Sequence, residues 1–276
     1  MRIARVEPDQ SQLLNRMETE LSGWADPEAR LRRALEKDEL CLYCQPIRAL
    51  FGEQTYPLAE LLVRLREEEA ALMPPGEFFP IFEHHRMMPA LDLWVVRHAL
   101  ERMARGSRIN CFTVNISSQS LDDETFAPGV ATLLAASKVP ATALCFEIGE
   151  SDTLQRLDQV VRFGKAMKAL GCRLLIDGFG YKSVTFSALK ALHFDYLKID
   201  GSIVRKLLTS EVARTKYNAI LRVCAAIGVE VIAEHVEEQD ILARLKALGT
   251  GYVQGFGVYQ PQPLEAIAAL DPERQT

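Results

Sequence analysis

Residues 172–200 read CRLLIDGFGYKSVTFSALKALHFDYLKID. Two short apolar runs, RLLID and FDYLKID, end on polar groups: Asp177 in the first, Lys198 and Asp200 in the second. Between them GFGYKS has the chemistry of a turn and SALKAL has helical spacing, so the unit reads strand, loop, helix, strand. A crossover that short joins parallel neighbours, and in parallel sheets ligands gather beyond the carboxyl ends of the strands. The polar ends of these two strands are therefore expected to face a common site.

Working outward, the same alternation recurs. On the N-terminal side, CFTVNIS and LCFEIGES read as strands and LDQVVRFGKAMKAL as a helix ending at Gly171. On the C-terminal side, VARTKYNAILRVCAAIG is a helix, VEVIAE a strand, EQDILARLKALG a glycine-capped helix and YVQGFGVY a final strand. Nearer the start, Asp26-Pro27 opens a helix that ends near Lys37. LCLYCQPI and TYPLAELLVRL then read as an antiparallel pair around a Gly52 turn, with Glu60 and Arg64 in the second strand. GEFFPIFEHH and ALDLWVVRHALERMA read as helices broken at Pro89. This is an α/β chain, and the extent of the alternation favours a closed barrel over a short open sheet. Residues 1–26 are polar and weakly helical around LLNRMETEL, and read as an extension to a domain spanning 27–276.

Composition narrows the function. A chain of 276 residues, 48% hydrophobic, can bury the core of one barrel domain. A formal net charge of −5 argues against a nucleic-acid polymer as the main partner, since tracking phosphates needs a basic surface. The longest apolar candidate, AILRVCAAIGVEVIA, is interrupted by Arg222 and Glu230, so no membrane span is expected, and the first ten residues lack a signal core. The cysteines are scattered through apolar runs, as befits reduced thiols in the cytoplasm. Cys41 and Cys44 form a C-x-x-C, but an odd separation in a strand sends them to opposite faces, which argues against a shared metal.

The strand ends carry the chemistry. In order they are Asn115, Glu147, Asp177, Lys198 with Asp200, Glu234 and Gln254. A run of oxygen donors with one lysine suits a hard divalent ion such as Mg²⁺ or Mn²⁺, with little imidazole or thiolate on offer. His84 and His85 are adjacent on a helix and read as surface or packing residues. GFGYKS resembles a phosphate loop only superficially, because the Walker spacing is missing.

In order and at compatible spacing, further blocks resemble the EAL domain of cyclic di-GMP phosphodiesterases, from about residue 35 to about residue 263. They are Gln45-Pro46-Ile47, Glu60-Leu61-Leu62 with Arg64, Phe79-Pro80, Leu91-Asp92 with Trp94, and Val114-Asn115-Ile116-Ser117. Then come Glu147-Ile148-Gly149-Glu150-Ser151, Leu197-Lys198-Ile199-Asp200, Ala233-Glu234 with Glu237, and Gln254-Gly255. The resemblance implies a TIM-like (β/α)8 barrel with one antiparallel strand, and hydrolysis of cyclic di-GMP to pGpG with two divalent ions. It implies metal ligation by Glu60, Asn115, Glu147 and Asp177, with Glu234 close by. Lys198 would orient water or hold phosphate, and Gln254 and Glu237 would support the site. Arg64 would contact phosphate, Asp92 a guanine edge, and Gln45 and Leu62 would complete the ligand-binding set. Glu150 would anchor the loop after Asp177, a loop that also contributes to dimer contacts.

Two departures from the family pattern, at Gly178 and in the loop after it, bear on activity, and two milder ones accompany them. Gly178 stands where the family has a second aspartate, which removes a carboxylate from the second metal. The following loop, usually T-G-Y-S-S, is Tyr181-Lys182-Ser183-Val184-Thr185, and Leu61 replaces the alanine of the naming triplet. His235 sits at a glycine position of its block. The expectation is a receptor for cyclic di-GMP with weak or absent hydrolysis, signalling as a homodimer or through a protein partner. The alternatives are an active phosphodiesterase and, from the barrel alone, a lyase using Lys198 as a Schiff base.

Overall fold

The computed structural model describes residues 24, 26–37, 39–53, 55–66, 72–73, 75–181, 189 and 192–268. The weakly helical reading of LLNRMETEL, most of the altered loop and most of SALKAL lie outside these residues.

The chain opens with α1 (Pro27–Glu36), whose N-cap Asp26 accepts from the Ala29 N–H at 3.0 Å. The antiparallel pair β1 (Leu40–Ala49) and β2 (Leu58–Arg66) follows in a register that sets Gln45 opposite Glu60 and Cys41 opposite Arg64. A two-residue strand β3 (Leu72–Met73) leads into α2 (Pro75–His84) and α3 (Met88–Ala104). Pro89 does not break the chain between helices; it occupies the first turn of α3, where its missing N–H has no intrahelical partner to lose.

The alternating part comprises β4 (Cys111–Asn115), α4 (Ser118–Asp122), α5 (Phe126–Ser137), β5 (Leu144–Gly149), α6 (Glu150–Gln155) and α7 (Leu157–Leu170). It continues with β6 (Arg173–Phe179), β7 (Tyr196–Ile199), α8 (Gly201–Val204), α9 (Glu211–Ile227), β8 (Glu230–Ala233) and α10 (Gln239–Ala247). The chain finishes with β9 (Tyr252–Val253), β10 (Gln262–Pro263) and α11 (Leu264–Ala268). Helix α9 shows why such segments form. The Ser210 hydroxyl caps its start, Gly228 at φ 73° ends it, and Ala213, Tyr217, Ile220 and Cys224 make one buried stripe at helical spacing.

The strands close into a ring in the order β1-β9-β8-β7-β6-β5-β4-β2, with β2 returning to β1 and the short β3 and β10 attached outside it. Every pairing within the ring is parallel except those of β1, which runs against both neighbours. The barrel interior is filled by one apolar residue from each ring strand: Ile47, Leu58, Cys111, Cys145, Leu175, Tyr196, Ile232 and the half-buried Tyr252. A larger core lies between barrel and helices. Because successive strand residues alternate faces, the next inward position lies two residues along each strand, above this plug.

The expected final strand is shorter than YVQGFGVY. Only Tyr252–Val253 pairs, and 254–257 instead fold against 236–237. The Val236 N–H bonds the Gln254 carbonyl at 2.9 Å, and the Gly257 N–H bonds the Val236 carbonyl at 3.0 Å. A Cβ on Gly257 would lie 2.2 Å from the Glu237 carbonyl oxygen, so two backbones meet where only glycine fits. Gly257→Ala is expected to destabilise the protein by about 2–3 kcal/mol through forced separation of these loops, read as a lower denaturant midpoint at unchanged m. An unshifted midpoint would show that the two loops part freely.

Candidate active site

The inward positions directly above the plug are Gln45, Glu60, Thr113, Glu147, Asp177, Lys198, Glu234 and Gln254, each two residues from its strand's plug residue. Asn115 is two further along β4 and closes it. The strands bearing Glu147 and Asp177 continue past them to Gly149 and Phe179, while Glu234 and Gln254 fall one residue beyond their strands. Of the expected strand-end set, Glu147, Asp177, Lys198, Glu234 and Gln254 share one level and Asn115 lies just above it, whereas Asp200 caps α8 by accepting from the Ser202 N–H at 2.8 Å.

At its centre stands Lys198, 1% exposed. Its Nζ donates to Glu147 Oε2 at 2.6 Å and to Glu60 Oε2 at 3.0 Å, and lies 3.7 Å from Asp177 Oδ1. Glu60 also accepts from Asn115 Nδ2 at 2.8 Å and Gln254 Nε2 at 2.7 Å. Gln254 Nε2 reaches Gln45 Oε1 at 3.1 Å as well, and Gln45 Nε2 donates to the Tyr259 carbonyl at 2.8 Å. One ammonium thus faces three carboxylates inside a low-dielectric barrel.

Protonation follows from that imbalance. Burial works to raise Glu60, but Lys198 and the bonds from Gln254 and Asn115 outweigh it and hold this carboxyl below its usual value. The surplus negative charge falls on Glu147, where burial and the Glu60 charge push the carboxyl up to about 8. Burial and the charge of Asp177 push Glu234 up to about 7. Lys198 is held well above its normal value, because Glu147, Glu60 and Asp177 together exceed the cost of burial. A Schiff-base lysine needs the reverse, an amine that loses its proton readily, so the lyase reading has no support here.

The donor set fits a divalent ion. Glu147 Oε1 and Asp177 Oδ1 are buried without a hydrogen-bond partner, and carboxylate oxygens so placed call for a cation. Among the described residues, no group of three or more His, Cys, Asp or Glu is gathered into a ready ion site. Here the carboxylates converge on the ammonium instead of on one another.

The remaining expected residues fall into two groups. Glu237 lies at the rim of a cavity of about 450 Å³ that Gln45, Glu60, Glu234, His235 and Gln254 also line. Leu62 and Arg64 alternate with Glu60 along the half-buried face of β2. Arg64 Nη1 donates to the Val63 carbonyl at 2.8 Å, and its guanidinium lies 5.6 Å from the Tyr43 ring centroid. Glu150, at the start of α6, is buried and accepts from the Gly180 N–H at 2.8 Å, which ties down the loop after β6. Asp92 makes its hydrogen bonds to the start of α4. Buried on α3, it accepts from the Ser117 N–H at 2.9 Å and the Ser120 hydroxyl at 2.6 Å, holding the start of α4. Burial raises its carboxyl to about 6 against those bonds.

Some contributors had no sequence signal. The Gly201 N–H bonds Glu234 Oε1 at 2.8 Å, and Lys216 of α9 bonds the Gly180 carbonyl. Backbone donors are anonymous in sequence, and a helix-surface lysine looks like any other. His85 rests beside His84 and 3.5 Å from Glu28, and the cysteines are free thiols, with Cys41 half-buried and Cys44 buried.

Comparison with known proteins now gives this constellation its relatives. The EAL domain model matches residues 28–261. The chain belongs to the EAL domain family. It is 32% identical over 244 residues to cyclic di-GMP phosphodiesterase PdeB of Shewanella oneidensis, an alignment covering 87% of this chain and 28% of that protein. It is 31% identical over 254 residues to cyclic di-GMP phosphodiesterase PdeF of Escherichia coli, covering 90% and 33% respectively. The chain therefore spans about a third or less of the length of these relatives. The EAL domain of FimX from Pseudomonas aeruginosa, solved with c-di-GMP bound, superposes with a TM-score of 0.81 at 28% identity, covering 86% of this chain and 97% of that one.

Two outcomes are expected of the site. Glu147, Glu234 and Asp92 bind protons more tightly when folded than their ordinary values allow, so the stability they confer is present at low pH and lost as pH rises through about 6 to 8. Without divalent ions the melting temperature should fall from about pH 5 to about pH 9, and Mg²⁺ should flatten that fall. A melting temperature that climbs over the same window would show these carboxyls ionised in the fold. Replacing the ammonium by Lys198→Met leaves the acids unopposed and should cost about 3–5 kcal/mol in metal-free urea unfolding.

Proposed function

We propose that this chain is a cyclic di-GMP-recognising EAL domain in which hydrolysis to pGpG is weak or absent. The reading rests on one contrast within the site. Glu60, Asn115, Glu147 and Asp177 keep a full set of oxygen donors, while Gly178, next to Asp177, offers no side chain at all. These four residues would hold one Mg²⁺ or Mn²⁺, and a second ion would lack its carboxylate. When bound, such ions lower the pKa of water and neutralise charge growing on phosphate.

The chain's own groups divide the remaining work. Lys198 balances the carboxylates and leaves Glu60 ionised. Glu234, poised near neutrality, can take a proton at its free oxygen while Gly201 holds the other. Glu237 and Gln254 shape the cavity wall, Gln45 fixes Gln254, and Leu62 and Arg64 present an apolar contact and a phosphate contact on β2. Asp92, occupied with α4, supports a structural role better than a guanine contact.

The active phosphodiesterase is the second reading, favoured by the retained Lys198 and Glu234 and by the names of PdeB and PdeF. Among the described residues no helix is long and apolar enough to cross a membrane. A cytoplasmic location, a homodimer or protein partner, and a 27–276 domain after an extension of 1–26 belong to this same proposal.

Calorimetry should detect cyclic di-GMP binding, and Arg64→Ala should weaken it by about 1.5–3 kcal/mol through loss of a charge-assisted bond. Absence of heat at high ligand, with or without divalent ions, would remove the ligand assignment. Hydrolysis should be slow under Mg²⁺ and rise with Gly178→Asp. The missing carboxylate is worth about 3–4 kcal/mol of transition-state stabilisation, or two to three orders of magnitude in rate. A Cβ at Gly178 meets nothing within 4 Å, so the substitution has room, and its cost is the strain of φ 66°, a region that aspartate tolerates better than most residues. Brisk turnover that ignores Gly178→Asp would favour the active enzyme.

A further inference from the structure

His235 is held in a conformation that its own side chain disfavours. Its φ is 54°, in the left-handed region where glycine is at ease and other residues pay strain, histidine less than most. The backbone on both sides is pinned. Glu234 is fixed to the Gly201 N–H, and Val236 is bonded through both its N–H and its carbonyl to the 254–257 loop. The His235 side chain is packed against Gly201, where a Cβ would lie 2.3 Å from His235 Cδ2 and 2.7 Å from Cγ. The imidazole is exposed, and it lines the cavity above Glu60 together with Phe256, which is 62% exposed.

We infer that His235 is a ligand-specificity residue, an aromatic wall against which a nucleobase of the bound dinucleotide stacks. The inference deepens the function proposed above and rests on it. Glycine would satisfy the backbone at lower cost, so the strained position is explained by the ring that it aims at the cavity. The chemistry fits a base better than a phosphate. Three of the lining side chains, Glu60, Glu234 and Glu237, are acidic, which repels an anion, whereas a planar, uncharged π face is served by a planar ring. The close packing on Gly201 limits the ring's freedom before the ligand arrives, which lowers the entropy lost on binding.

The test is cyclic di-GMP titration of the intact protein and of three variants. His235→Gly and His235→Asn both tolerate the positive φ, so each should fold with an unchanged or higher melting temperature and bind about tenfold more weakly. His235→Phe keeps the ring and should bind within about threefold of the parent. Parent-like affinity in His235→Gly overturns the inference. So does weak binding by a folded His235→Phe, which would mean that a ring nitrogen makes the contact instead of the ring face. If the parent protein itself does not bind, the proposed function falls and takes the base contact with it. Parent binding with indifferent variants removes the base contact alone.

Discussion

One ammonium set against three carboxylates, in the middle of a closed barrel, is the constraint on which the site depends. Lys198 cannot leave without stranding Glu147 and Glu60, and they cannot both remain charged without it or a metal ion. The amides of Asn115, Gln254 and Gln45 spread this charge outward through hydrogen bonds, so that seven strands contribute to one electrostatic unit. A divalent cation would take over the neutralising work that the lysine now does alone. Charge exchange of this kind makes metal affinity and protonation two faces of one equilibrium.

The level at which these groups meet is set by packing beneath them. Ile47, Leu58, Cys111, Cys145, Leu175, Tyr196 and Ile232 fill the barrel, and period-two alternation delivers the polar residue two positions on. A slip of one residue would turn the plug residue and the site residue above it out into the helical layer, Glu147 or Lys198 for instance, and bring an outward residue such as Phe146 or Leu197 inside, which is why the register is firmly specified.

This arithmetic also explains what the sequence made legible. Strands ending in Asn, Glu, Asp, Lys, Glu and Gln could be collected by eye, because barrel geometry puts function where apolar runs turn polar. The antiparallel start was legible from the short Gly52 turn, which is too brief for a crossover. What stayed hidden depended on contacts between distant backbones. The last strand stops at Val253 because Gly255 and Gly257 must receive Val236 and Glu237, and apolar character alone cannot announce that close approach. Asp92 stood out by its place in a motif, while its bonds to the Ser117 N–H and the Ser120 hydroxyl, made across to another helix, had no mark in the sequence.

The reversed direction of β1 also decides where the chain joins the barrel. Leu40 pairs with Leu65, near the carboxyl end of β2, so the polypeptide arrives on the face that carries the carboxylates and descends from there. Just before it, α1 sets Glu28 beside His85, at the turn leading into α3. Along β1 the chain therefore passes the rim of the cup first, then Tyr43 and Gln45 at the level of the acids, and reaches the apolar floor only at Ile47. The barrel is built like a jar whose handle is fixed at the mouth instead of the base.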